Sequence, residues 1–169
     1  MKAKITLALI ILSGILIVGC NQNQQNEINI DKKVDIINDE FPEVQAEIKA
    51  VVDSIFKCLQ NKDAESLRSF HLYGPKFTAF APGMLRQGPK ENEEKERETI
   101  NSISSFEYNL NDLKINVFGE VAIVTYHGDF ELTFETGSKQ MHTQTSLIFV
   151  MTDTGWKLTH EHSSPRIID

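Results

Sequence analysis

The sequence predicts an α+β domain in which helices come first and a curved antiparallel sheet follows. Three observations carry that expectation. Apolar residues recur at helical spacing between residues 42 and 59. From residue 106 the period changes to two, and three long alternating runs follow. The runs are joined by short segments holding Thr136-Gly137 and Asp153-Thr154-Gly155, both suited to tight turns. Helices that precede a meander bury their stripes on one face of it.

The chain opens with Met1-Lys2-Ala3-Lys4 and then runs almost without polar residues from Ile5 to Val18. A charged start, a short apolar stretch and a small residue at its end describe a secretory leader over residues 1–19. The stretch falls short of the roughly 20 residues that a membrane span needs. Ile17-Val18-Gly19-Cys20 resembles the bacterial lipobox. That resemblance implies cleavage before Cys20 and an acyl lipid, palmitate among its chains, on the cysteine. The expected location is the cell envelope, anchored to a bacterial membrane (the outer one in a diderm cell, given Asn21).

The whole chain carries a net charge of −7, and loss of Lys2 and Lys4 with the leader makes it more acidic. An acidic surface excludes nucleic acid as a partner, because phosphates need a basic footprint. It also argues against peripheral attraction to anionic lipid, so the membrane contact falls to the lipid on Cys20. Residues 20–41 form the lipidated cysteine and a polar tether, reaching about 20–25 Å as a flexible coil. Cys58 is then the one thiol left, so no internal disulfide is expected; within an apolar helical stripe it reads as a small buried hydrophobe.

The domain spans residues 42–169. Pro42 suits a first helical turn. Val44, Ile48, Val51, Val52, Ile55, Phe56 and Leu59 make one stripe. Asn61-Lys62-Asp63 breaks that helix, and Asp63 is placed to cap a second, shorter one through Leu67 and Phe70. Phe77-Thr78-Ala79-Phe80 is a short strand closed by Pro82-Gly83. The charged stretch 89–103 reads as a third, solvated helix with pairs such as Glu93–Arg97 rather than as an acidic site. Strands follow over 106–119, 121–134, 139–152 and 156–163.

Placing the turns at Thr136-Gly137 and Thr154-Gly155 sets a register. Phe149 then opposes Val124 and His160, Leu147 opposes Tyr126 and His162, and Met151 opposes Ala122 and Leu158. One face gathers Ala122, Val124, Tyr126, Phe130, Thr145, Leu147, Phe149, Leu158, His160 and His162. The other is polar, with Glu131 across from His142. It carries Ile123, Ile148 and Val150 near its middle, as a homodimer interface would.

Asn61-Lys62-Asp63-Ala64-Glu65-Ser66-Leu67, the Phe-rich strand, the charged helix and the closing Gly155-Trp156-Lys157-Leu158-Thr159-His160-Glu161-His162-Ser163-Ser164 resemble the SnoaL-like branch of the nuclear transport factor 2-like superfamily. The resemblance covers about residues 42–165. It implies a cone of sheet wrapped by three N-terminal helices, open to a deep pocket, usually paired sheet to sheet as a homodimer. Members include isomerases, hydrolases, cyclases, binding proteins and dimerisation modules. The steroid-isomerase-like members use a carboxylate near the first strand as base; Phe77-Thr78-Ala79-Phe80-Ala81-Pro82-Gly83 holds no acid there.

His160 and His162, two apart on a strand, project the same way and are expected in the pocket beside Tyr126. They are candidate acid–base residues with Tyr126 as donor, or structural groups bonded to backbone. Phe80, Tyr108, Thr145, Leu147, Phe149 and Trp156 are the candidate ligand-binding residues. No cofactor is expected, and no metal, since the predicted face offers the two imidazoles no acid as a third ligand. The first functional expectation is a lipid-anchored domain that binds a small apolar ligand or oligomerises without catalysis. The alternative is a cofactor-free isomerase, hydrolase or cyclase.

Overall fold

A computed structural model describes residues 34–167. The leader, Cys20 and the first part of the tether lie outside the described residues.

Three helices precede the main strands. Helix α1 (Pro42–Asn61) starts with proline at its first position and turns Ile48, Val52, Ile55, Phe56 and Cys58 inward. It ends where Lys62 takes a left-handed conformation (φ 59°). Helix α2 (Ala64–Ser69) is capped as its sequence predicts, with the Ser66 N–H donating to Asp63 Oδ1 at 2.9 Å. Strand β1 (Thr78–Phe80) is followed by α3 (Pro89–Ser102). Outward-facing Arg97 bridges Glu65 of α2 at 2.6 Å and Glu93 of its own helix at 3.5 Å. These exposed pairs each contribute roughly 0–1 kcal/mol. Inside, α3 buries Asn92 and Ile100, four-residue multiples apart on one stripe.

Strands β2 (Ile103–Phe118), β3 (Val121–Phe134), β4 (Gly137–Thr152) and β5 (Gly155–Pro165) form the meander. The sheet order is β1-β5-β4-β3-β2. Strand β1 pairs parallel to β5, with Thr78 beside His160 and Phe80 beside His162. The sheet is therefore mixed at that edge instead of wholly antiparallel. Its inner face meets α1: Ile48, Val52 and Phe56 join Val124, Leu147, Phe149, Trp156 and Leu158 in one core. Burial raises the pKa of the Cys58 thiol, with the Asp63 charge adding to it. That environment suits a packed, unreactive sulfur.

The register differs from the sequence-based one by two residues in the β3–β4 hairpin. Phe149 lies opposite Ala122, Leu147 opposite Val124 and Thr145 opposite Tyr126. Phe134 pairs with Gly137, so the turn residues are Glu135 and Thr136. Gly137 (φ 132°) stands just after the turn, where positive φ is needed to enter the return strand. The β4–β5 hairpin repeats this, with Thr152 paired to Gly155 at φ 96°. A slip of two preserves the faces. It does change cross-strand partners: His142 faces Asp129, at 2.7 Å, and Glu131 faces Gln140.

One further irregularity changes the site. Phe149 pairs with Leu158, but Ile148 pairs with His160, leaving Thr159 as a bulge. The extra residue reverses the facing of everything after it. His160 and His162 fall on the outer face with Ile148 and Ser146, and Glu161 falls on the inner face beside Leu147.

Candidate functional site in the cone

The correction for the expected site follows from Thr159. His160 donates to or accepts from Thr78 Oγ1 at 2.7 Å, away from the cone. Phe80, 40% exposed, sets its ring edge against both imidazoles at 6.1 and 5.8 Å. Desolvation lowers the pKa of His160, and the neighbouring His162 lowers it further. These three residues form an edge cluster on the outer face.

Other expected residues divide. Tyr126 and Leu147 line the cone. Phe149 and Trp156 are core, and Tyr108 stacks on Phe56 with ring centroids 4.6 Å apart. Thr145 is buried and donates to Ser163 Oγ at 3.2 Å.

Between the helices and the inner sheet face lies a cavity of about 300 Å³. Its wall is apolar: Phe56, Leu59, Phe106, Phe130, Leu132 and Met141 contribute. Phe56, Phe106 and Phe130 stack on one another, with centroids 5.8–6.4 Å apart. A cavity of this size suits a small ring-bearing molecule.

Its polar lining gathers His71, Glu96 and Glu161, with Asn92 and Gln87 nearby. One ligating atom from each of the three lies within 4.8 Å of the others. Three different elements deliver them. His71 follows α2, fixed by the Leu72 N–H donating to the Leu158 carbonyl at 2.7 Å. Glu96 sits one turn along the inner stripe of α3 from Asn92. Glu161 is turned inward by the bulge.

The hydrogen bonds assign each group an orientation. His71 is 7% exposed, and its Nδ1–H donates to the Leu67 carbonyl at 3.1 Å. That leaves Nε2 facing the acids, 3.2 Å from Glu96 Oε1 but off the line of a hydrogen bond. Tyr73 stacks flat on His71 at 4.8 Å and donates its hydroxyl to Glu96 Oε2 at 2.8 Å. Buried Asn92 in turn donates to the Tyr73 oxygen at 3.1 Å. The Glu161 carboxylate lines the cavity beside them.

The titration behaviour follows. Burial pulls the His71 pKa down, but the Glu96 carboxylate 3.2 Å from Nε2, then Glu161 and the Leu67 carbonyl, outweigh it, and the net shift is upward. Glu161 is pushed up to about 7 by desolvation first and by the Glu96 charge second, with His71 opposing. Burial likewise raises the Tyr73 and Tyr126 phenols. Two acids and an imidazole crowded at an apolar wall are the kind of grouping found where chemistry is done.

The reason for expecting no metal, a pocket face without an acid, does not hold, since Glu161 and Glu96 both reach the imidazole. His71 and Glu96 are absent from the expected site. A signal for Glu96 exists in the sequence: Asn92, Glu96, Thr99 and Ile100 share one helical stripe, and only its last member is apolar. No comparable signal marks His71, which sits in a short irregular link.

The chain belongs to the SnoaL-like domain family, whose pattern it matches over residues 48–168. Solved structures agree on the fold. A candidate dehydratase of the NTF2-like family from Streptomyces avermitilis is 19% identical with a TM-score of 0.69, covering 75% of this chain and 98% of that one. An NTF2-like superfamily protein from Salmonella enterica is 16% identical at a TM-score of 0.67, covering 75% and 93%. A CaMKII hub from S. rosetta is 22% identical at a TM-score of 0.58, covering 72% and 96%. No curated protein matches the chain.

Proposed function

We propose that the cone is a reaction chamber for a small, uncharged, ring-bearing molecule. The substrate's hydroxyl or carbonyl end meets His71, Glu96 and Glu161, and the reaction is a proton transfer of the isomerase or lyase kind. The observation that carries this reading is the buried His71 Nε2, aimed at two carboxylates from other elements while its apolar neighbours leave room for a ligand. The aromatic stack would hold the ring, and the two acids in the lining disfavour anionic substrates. The resemblance to a candidate dehydratase supports the reaction class. We place the domain at the cell envelope, held by a lipid on Cys20, with a homodimer formed through the outer face of β3–β5. The hub domain among similar structures favours assembly of this sort.

Neutral cyclic alcohols and ketones, titrated into the methyl-labelled full chain in detergent, test the reading by NMR. Shifts are expected at Leu59, Leu132, Met141 and Leu147, with new ligand signals as conversion proceeds. His71→Ala should keep the methyl shifts and lose the conversion. Shifts confined to Ile123, Ile148 and Val150, on the outer face, would place the ligand elsewhere and overturn it.

A further inference from the structure

We propose that His71, Glu96 and Glu161 form a site for one divalent first-row transition cation, open on one side to the cone. The chemical use of such an ion rests on the reaction-chamber reading; the site itself rests on geometry.

The first support is the unpaired nitrogen. His71 is 7% exposed, and its Nε2 has no hydrogen-bond partner although it points into a polar cluster. A buried polar atom without a partner is rare in a folded protein and calls for a ligand or a water. With Nδ1–H bound to the Leu67 carbonyl, Nε2 is the nitrogen left to ligate, and an ion that binds there displaces its proton.

The second is spacing. Nε2 and Glu96 Oε1 are 3.2 Å apart. Two ligands on one cation, with bonds of about 2.0–2.2 Å, stand about 3.0–3.5 Å apart in tetrahedral or octahedral geometry. Glu161, within 4.8 Å of both, closes the set by rotating its side chain.

The third is the ring of groups behind the ligands. Metal-binding imidazoles donate their other N–H to a carbonyl or carboxylate, and metal-binding carboxylates are themselves hydrogen-bonded. His71 Nδ1–H donates to the Leu67 carbonyl, and Glu96 Oε2 accepts from Tyr73, which accepts from Asn92. A bare imidazole–carboxylate contact would not call for a second carboxylate, Glu161, at the same nitrogen.

One nitrogen and carboxylate oxygens, with no sulfur, suit manganese, iron, cobalt or zinc. Three protein ligands leave a position open for water or a substrate oxygen. An ion there would polarise a carbonyl or hydroxyl or supply bound hydroxide.

The test uses the full chain in detergent, stripped with a chelator and titrated with Mn²⁺ by electron paramagnetic resonance and with Zn²⁺ by calorimetry. One ion per chain is expected, with micromolar or tighter affinity, and Mg²⁺ should bind far more weakly. His71→Ala and Glu161→Gln should each weaken binding about 100-fold or more, and Tyr73→Phe about 10-fold. Circular dichroism confirms that each variant folds, and Glu96→Gln serves if His71→Ala does not. Failure to bind either ion below millimolar concentration overturns the site. So does binding that survives both His71→Ala and Glu161→Gln, which would belong to surface histidines. If the ions fail while ring compounds still shift the cone methyls and are converted, the reaction chamber stands without metal. If the ions bind while ring compounds do not, the cation site stands and the reaction chamber falls.

Discussion

Replacing Gly128 by alanine puts the packing of the cone wall to a test in which the sign of the result matters. Gly128 faces inward on β3 between Tyr126 and Phe130, and the Phe130 ring folds back over it. A Cβ there would stand 2.3 Å from Phe130 Cζ, 2.6 Å from Cε2 and 3.0 Å from Thr143 Oγ1. Ordinary carbon contacts begin near 3.5 Å, so the ring has to move by about 1 Å. Its far side is occupied: Phe56 and Phe106 stack on it at 5.9 and 5.8 Å. Overpacking of this kind costs about 1–3 kcal/mol, whereas glycine to alanine on a compatible backbone gains about 0.4–1 kcal/mol through the unfolded chain. The net expectation is a loss of about 1–2 kcal/mol in urea unfolding. Combining Gly128→Ala with Phe130→Leu should recover most of it, with a coupling of at least about 1 kcal/mol. A stabilised Gly128→Ala, or the two changes adding without coupling, would refute the ring's placement over the glycine.

Two further outcomes follow from the outer face. The double change His160→Ala, His162→Ala should leave cone binding of neutral ring compounds within about twofold, since neither ring enters the cavity, and cost only the Thr78 bond, about 0.5–1.5 kcal/mol by urea unfolding. Asp129 accepts from His142 at 2.7 Å and Arg166 at 2.6 Å, and its pKa is held down by the His142 hydrogen bond first, against some desolvation, and then by Arg166. A carboxyl lowered on folding stabilises above its unfolded value near 3.9, and that stabilisation is lost as pH falls through the folded one. Asp129→Asn should therefore lower the melting temperature at pH 7 and converge with the parent near pH 2; a gap that persists at pH 2 would mean packing, not charge.

The fold is legible in the sequence because its signals are local. Pro42, the stripe from Ile48 to Phe56 and the Asp63 cap each act within a turn or two, and all three sit where periodicity puts them. Register is harder. Thr-Gly pairs suggest turn centres, yet Gly137 and Gly155 begin the return strands, because positive φ serves the step out of a two-residue turn. The faces survive that difference, since it amounts to an even number of residues. The site does not survive Thr159. A bulge depends on what the partner strand and β1 demand, and an alternating run such as Lys157-Leu158-Thr159-His160-Glu161-His162 reads equally well without one. Glu96 is only faintly marked: Asn92, Thr99 and Ile100 trace its stripe, but among so many solvated charges on α3 a single apolar residue is a weak cue to which side is inside.

The shortest strand in the sheet has a large say in this arrangement. The tail of β5 could slide by a single step and pair smoothly with β4, which would swing both imidazoles indoors and the acid out. Thr78 grips His160, and Phe80 leans on His162, only in the kinked alignment. Three residues at an edge thus hold the two imidazoles on the outer side of the same strand that carries Glu161 into the cone.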